Sequence, residues 1–168
     1  MSVQPLTPAP ALTLTHELPE HSAHVEALLG RAFGPGRFAK SSERVREFAD
    51  FAPELSFLAW EEGRLIGVVR QWRVKAGFTD VVFLGPLAVD QDQRSVGLGA
   101  VLVERAVEAA RQAGEAGVLL VGDRPYFERF GFAAEPARKV RMPGPVDQSR
   151  VLALMFEGGT LDGLVTPR

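Results

Sequence analysis

The segment spanning residues 81–113 constrains this chain more than any other. An apolar strand over residues 81–89 is interrupted by Gly85-Pro86, and the polar loop after it ends at Gly97-Leu98-Gly99. A proline in an apolar strand has no amide to donate to the ladder, so the sheet must bulge or part there. Residues 80–84 and 87–89 are therefore expected to pair with different neighbours or with none. The longest helical pattern follows over residues 97–113, with Leu98, Val101, Leu102, Ala106, Val107, Ala109 and Ala110 on its buried face and Gly114 suited to its left-handed cap. Amides at a helix start have no intrahelical acceptors, and the helix dipole favours negative charge there, so this junction can hold an anion. Taken alone, the two glycines also fit a helix start packed closely on a sheet.

The rest of the chain alternates between the two periods. Residues 12–16 read as a half-buried strand, and residues 21–33 as a helix through Val25, Leu28, Leu29, Ala32 and Phe33, ended by Gly34-Pro35-Gly36. A second helix is expected from Ser41 or Ser42 to about Phe51. Strands follow at 55–60 and 65–74, then at 118–121, a short helix at 126–130, and strands within 132–140 and 151–156. This order predicts an α/β (α+β) fold with a mixed sheet. Residues 1–11, with Pro5, Pro8 and Pro10, read as a flexible tail, and residues 12–168 as one domain, the size at which single domains cluster.

Composition excludes several functions. Nineteen basic against 21 acidic residues give a net charge of −2, so no overall basic excess points to nucleic acid. There is no cysteine, which removes disulfides, thiolate zinc sites and cysteine nucleophiles. His16, His21 and His24 all lie near the start, and no catalytic metal is expected. No apolar run reaches membrane-spanning length and the opening residues lack a signal-peptide pattern, so a cytoplasmic protein with no membrane partner is expected. Two nucleotide motifs fail. Residue 102 is Leu where a dinucleotide fingerprint needs Gly or Ala, and Leu98-Gly99-Ala100 cannot supply a Gly-Lys-Ser/Thr phosphate loop.

The run Arg94-Ser95-Val96-Gly97-Leu98-Gly99 resembles the R/Q-x-x-G-x-G/A motif of the GNAT N-acetyltransferase superfamily, and it follows the interrupted strand as it does there. Gly122-Asp123-Arg124-Pro125-Tyr126-Phe127-Glu128-Arg129-Phe130-Gly131-Phe132 resembles the family's second signature, and the spacing between the two fits. The closing residues are similar to one bacterial subgroup of acetyltransferases. The resemblance implies a mostly antiparallel sheet with a splayed strand and helices on both faces, and acetyl-CoA as cosubstrate. It places Leu87, Ala88 and Val89 along the pantetheine arm, the amides of Arg94, Ser95, Val96, Gly97, Leu98, Gly99 and Ala100 on the pyrophosphate, and Phe127 beside the cofactor. The first two helices would wall a groove for an amine acceptor.

The chemistry can be stated from first principles. An amine attacking a thioester forms an oxyanion, which a backbone amide freed by a bulge can stabilise, and the resemblance makes the amide of Leu87 the candidate. A lysine-like amine is only about one part in 2,500 neutral at pH 7, a deficit of roughly 4–5 kcal/mol, so a base or water must take its proton. The family's usual acid position is Phe127, which has none, while Tyr126 is the chain's only tyrosine. Tyr126 is the candidate general acid, with a packing aromatic as the alternative. Asp123 is a candidate for holding water or the amine, or a cap for the helix that follows. Phe38, Arg70 and Trp72 are candidate acceptor contacts, Arg70 and Trp72 sharing a strand face. The expected activity is direct acetyl transfer to an amine of a small molecule or peptide. The alternatives are a CoA-binding sensor and a transferase of longer acyl groups. The protein is expected as a monomer or homodimer.

Overall fold

A computed structural model describes residues 12–91 and 97–168. Nine strands occur among them: β1 (Leu12–Thr15), β2 (Asp50–Phe51), β3 (Phe57–Glu61), β4 (Arg64–Ala76), β5 (Thr79–Val89), β6 (Gly117–Val121), β7 (Lys139–Arg141), β8 (Val151–Met155) and β9 (Asp162–Pro167). They follow the order β1-β3-β4-β5-β6-β8, with β2 and β9 on β4 and β7 on β9. All pairs are antiparallel except β5 with β6 and β7 with β9. The helices are α1 (Ser22–Phe33), α2 (Ser41–Arg46), α3 (Leu98–Gln112) and α4 (Arg124–Glu128). None is long and apolar enough to cross a membrane.

β4 is the spine. Its side chains are buried almost throughout because helices cover both faces. Val68 packs with Val25, Leu28 and Leu29 of α1, whereas its neighbour Val69 packs with Leu98, Leu102 and Ala106 of α3. Val45 of α2 joins Trp72, Val74 and Phe83 in a third cluster. Successive residues of a strand point to opposite faces, so one apolar run serves both layers.

The interruption in β5 sets up the site. The register runs Gly67↔Val89, Val68↔Ala88 and Val69↔Leu87, then resumes at Gln71↔Leu84. Gly85 and Pro86, joined by a cis peptide bond, therefore stand opposite Arg70 alone, which is a β-bulge. The Trp72 indole donates to the Gly85 carbonyl at 2.6 Å and pins it. Both halves of β5 remain on β4, contrary to the expectation that they change neighbours, because the bulge absorbs the extra residue and the ladder resumes. The parting falls on the other side: β6 follows β5 only at Val82↔Val118 and Phe83↔Leu119.

The fold departs from the sequence pattern in three further places. The second helix stops at Arg46, and Asp50 and Phe51 form a strand on Arg73 and Trp72, where the Phe51 ring lies 5.0 Å from that of Trp72. Most of residues 132–140 is not strand, because Pro136 sits in a 3-10 turn over Glu135–Ala137 and leaves only β7. β9, with Gly163 and Pro167, carries no strand pattern; burial of Leu161 and Val165 and pairing with β4 hold it.

Candidate active site

Where β5 and β6 separate, a cleft of about 1090 Å3 opens between Phe83–Leu87 on one side and Leu120–Asp123 on the other. A second chamber of about 430 Å3 is lined by Leu87, Ala88, Val89, Gly97, Gly99, Ala100 and Arg129. Ala32, Phe33, Leu87 and Tyr126 line both, so they form a waist between two adjoining spaces.

Backbone polarity makes the smaller chamber specific. The Asp90 amide donates to the Ile66 carbonyl at 2.8 Å, so Asp90 directs its polar groups at β4. In an antiparallel ladder these directions alternate. Val89 and Leu87 therefore turn their amides and carbonyls away from β4, past the end of the β5–β6 pairing. Facing them is the start of α3. Gly97 is its N-cap, with φ 75° and ψ 18°, a left-handed conformation that favours glycine. The amides of Leu98, Gly99 and Ala100 follow with no intrahelical acceptors. The Leu98 side chain itself is buried in the core. Arg94, Ser95 and Val96 lie outside the described residues.

α4 closes the waist. Asp123 is its N-cap, and the Asp123 carboxylate accepts from the Tyr126 amide at 3.3 Å. The capping alternative for Asp123 is thus realised, on a residue that also lines the cleft. One residue apart on the helix, Phe127 is buried against Phe132 while Tyr126 is half-buried at the waist. A Cβ on Gly99 would stand 2.9 Å from the Tyr126 hydroxyl, so that hydroxyl overlies the first turn of α3. Burial pushes the Tyr126 phenol above its ordinary value, the charge of Glu104 adding to this and that of Arg129 opposing it.

The acetyltransferase (GNAT) family model matches residues 23–132. This chain belongs to that family. The uncharacterized N-acetyltransferase YhbS of Escherichia coli strain K12 is 35% identical over 133 residues, covering 76% of this chain and 78% of that protein. A crystal structure of E. coli YhbS in complex with CoA superposes with a TM-score of 0.77 at 28% identity, covering 97% of this chain and 93% of the other. A GNAT acetyltransferase of Brucella melitensis in complex with acetyl-CoA shares the fold, with a TM-score of 0.71 at 24% identity over 94% of this chain and 96% of the other.

Within this GNAT frame the three acceptor candidates stand apart from the cleft lining. Arg70 is 4% exposed, and Glu17 from the loop before α1 receives it at 2.6 and 3.0 Å, with Glu26 of α1 at 3.4 Å. Trp72 is buried and committed to Gly85. Phe38 is exposed under the Arg37 guanidinium, while its neighbours Gly36, Ala39 and Lys40 line the cleft. The sequence marks Gly34–Lys40 as a groove-lining loop but assigns no role to the charges of Lys40, Arg129 and Arg150. Lys40 closes the Gly34–Lys40 loop and Arg129 lies inside the second signature, but neither has a spacing that marks it. Among the described residues, no group of three or more metal-ligating side chains occurs.

Proposed function

We propose that this GNAT acetyltransferase takes its acetyl group from acetyl-CoA and passes it directly to a primary amine of a small molecule or peptide, in one cytoplasmic domain and with no covalent enzyme intermediate. The observation that carries the reading is that two sets of backbone donors meet on one chamber: the outward groups of Leu87 and Val89, and the first-turn amides of α3. An extended pantetheine arm adds to an open strand edge as a further strand does. A diphosphate is suited to a helix start, with Arg94, Ser95 and Val96 leading into it. Arg129, on the same chamber, adds a positive charge.

In the reaction, the neutral amine attacks the thioester carbonyl carbon and a C–N bond forms. The resulting oxyanion takes a hydrogen bond from the Leu87 amide. Collapse breaks the C–S bond and expels the thiolate, and the proton lost by the attacking nitrogen passes to water or to the departing sulfur. Tyr126 is the candidate donor of a proton to that sulfur: it lines the waist, and a phenol, here raised further by burial, carries its proton through the neutral range. Asp123 lines the larger cleft, where its second carboxylate oxygen can hold a water or the incoming ammonium.

Calorimetry with CoA and thiol release from acetyl-CoA with a panel of amines test the reading. Binding with release supports it; absence of heat with CoA overturns it. Tyr126→Phe is expected to lower kcat about a hundredfold, the usual scale for a general acid. Unchanged turnover between pH 7 and 9 removes Tyr126 from proton transfer. Asp123→Asn retains a capping residue but loses the charge. A raised KM for amine with a normal Kd for CoA is expected. Phe127, at the family's acid position, favours a second reading as a CoA-binding sensor. Tight CoA binding with no release against any amine selects it.

A further inference from the structure

We infer that the acceptor carries an anion, a carboxylate or a phosphate, a few bonds from the amine that is acetylated, and that Lys40 and Arg150 receive it. This inference rests on the acetyltransferase reading and names the substrate class of the same cleft. Both cations line the larger chamber, and neither lines the chamber of Gly97 and Gly99. They arrive from distant parts of the chain and each is held in place. Lys40 ends the 3-10 segment Gly34–Ala39 and precedes α2, and its ammonium sits 4.4 Å from the centre of the Phe33 ring. Phe33 belongs to the waist, so this charge stands close to the point of transfer. Arg150 grips the end of β6: its carbonyl accepts from the Gly122 amide at 2.9 Å and its Nε donates to the Gly122 carbonyl at 3.3 Å. That leaves its two terminal nitrogens for another partner.

Among the described residues no carboxylate forms an ion pair with either cation, although the charge of Arg150, after the hydrogen bonds from Ser149, is one of the causes that hold the Asp147 carboxyl below its ordinary pKa. Asp123 and Asp147 also line the cleft, but each is engaged in a local cap. Asp123 accepts from the Tyr126 amide at 3.3 Å, and Asp147 accepts from the Ser149 amide at 3.0 Å and its hydroxyl at 2.7 Å. Lys40 and Arg150 form no ion pair within 4.0 Å among the described residues. Burial, and after it the charge of Arg150, hold the Lys40 ammonium below its ordinary pKa, in keeping with two like charges lining one cleft. A bound anion turns this repulsion into two charge-assisted contacts. Ser41 and Ser42, next to Lys40 in the chain, also line the cleft. The transferred acetyl group replaces one amine proton and leaves the anion untouched, so the product is a neutral amide that keeps its negative group.

The test compares matched acceptors that differ only in the anion: 3-aminopropanoate against 3-aminopropanamide, and 3-aminopropylphosphonate against propylamine. Thiol release is followed for the wild type, Lys40→Gln, Arg150→Gln and the double variant. The anionic member of one or both pairs is expected to have a kcat/KM about tenfold or more above its partner, and the pair that shows it distinguishes a carboxylate from a phosphate source. In the double variant this ratio is expected to fall towards one, carried by KM, with the Kd for CoA unchanged. Equal use of charged and neutral amines by the wild type overturns the inference while leaving the transferase reading intact. So does a preference that survives both substitutions, or a CoA affinity that collapses with them, which would assign the cations to the cofactor. Calorimetric titration of the same four amines into the CoA-loaded protein reads the site without turnover: heat from an anionic amine that is lost in the double variant supports it, and no heat overturns it.

Discussion

The contact between Gly99 and Tyr126 ties the helix start to the waist. Gly99 has ordinary helical geometry, so alanine there gains about 1 kcal/mol of helix propensity. Its Cβ, however, would stand 2.9 Å from the Tyr126 hydroxyl. Gly99→Ala is therefore expected to give no gain in the wild type and a stabilisation of about 0.5–1 kcal/mol in the Tyr126→Phe background. Thermal melts of the four-member cycle measure the coupling, and independent, additive effects would show that the hydroxyl does not occupy that place. The two glycines of the motif thus serve different ends. Gly97 answers its own backbone angle, whereas Gly99 answers a side chain 27 positions later in the sequence. The first is readable from a turn preceding a helix; the second needs the fold.

Among the elements, the decisive contacts tie the bulge to the helices beside it. Arg70, opposite Gly85-Pro86, is bound by Glu17 and Glu26, and Glu26 also pairs with Arg37 and, at 2.6 Å, with Arg46 of α2. Four segments meet on one carboxylate. Burial pushes the Glu26 carboxyl up, but the hydrogen bonds from Arg37 and Arg46 and the charges of Arg46 and Arg70 outweigh it and hold the group below its ordinary pKa. A depressed carboxylate stabilises the fold above the ordinary range of about 4.3 and loses that contribution as pH falls through its own lower pKa. Glu26→Gln is expected to cost about 1 kcal/mol at pH 7, a figure discounted for partial exposure. The difference should shrink below about pH 4. Urea midpoints at pH 7 and pH 3.5 check this; a cost that does not change with pH places the effect in packing rather than charge. The sequence placed the bulge correctly but read Arg70 as a groove residue, because its partner Glu17 is 53 positions away.

For the molecule as a whole, the open seam between β5 and β6 is a place where ligand binding adds stability. The two strands share only two register pairs before they part. A cofactor bound as proposed would bond to the free edge of β5 and the start of α3, in the folded state alone. Free CoA at a hundredfold its Kd is expected to stabilise the fold by about 2.7 kcal/mol and to raise Tm by roughly 5–10 °C. Differential scanning calorimetry at increasing CoA checks this, and a Tm independent of CoA removes the cofactor from the seam.

The chain's own order of residues determined the periods of most strands and helices, the break at Gly85-Pro86, the glycine-rich start of α3 and the family to which these belong. Those are local properties: a proline lacks its donor wherever it sits, and a glycine admits a backbone wherever one approaches. The tertiary structure alone decided which charges are consumed and which are left facing the cleft. Arg70 is buried between carboxylates, while Lys40 and Arg150, 110 positions apart in the chain, line one cleft. A side chain's charge is written in the sequence, but its neighbours and its exposure to water are set only when distant strands and helices pack together.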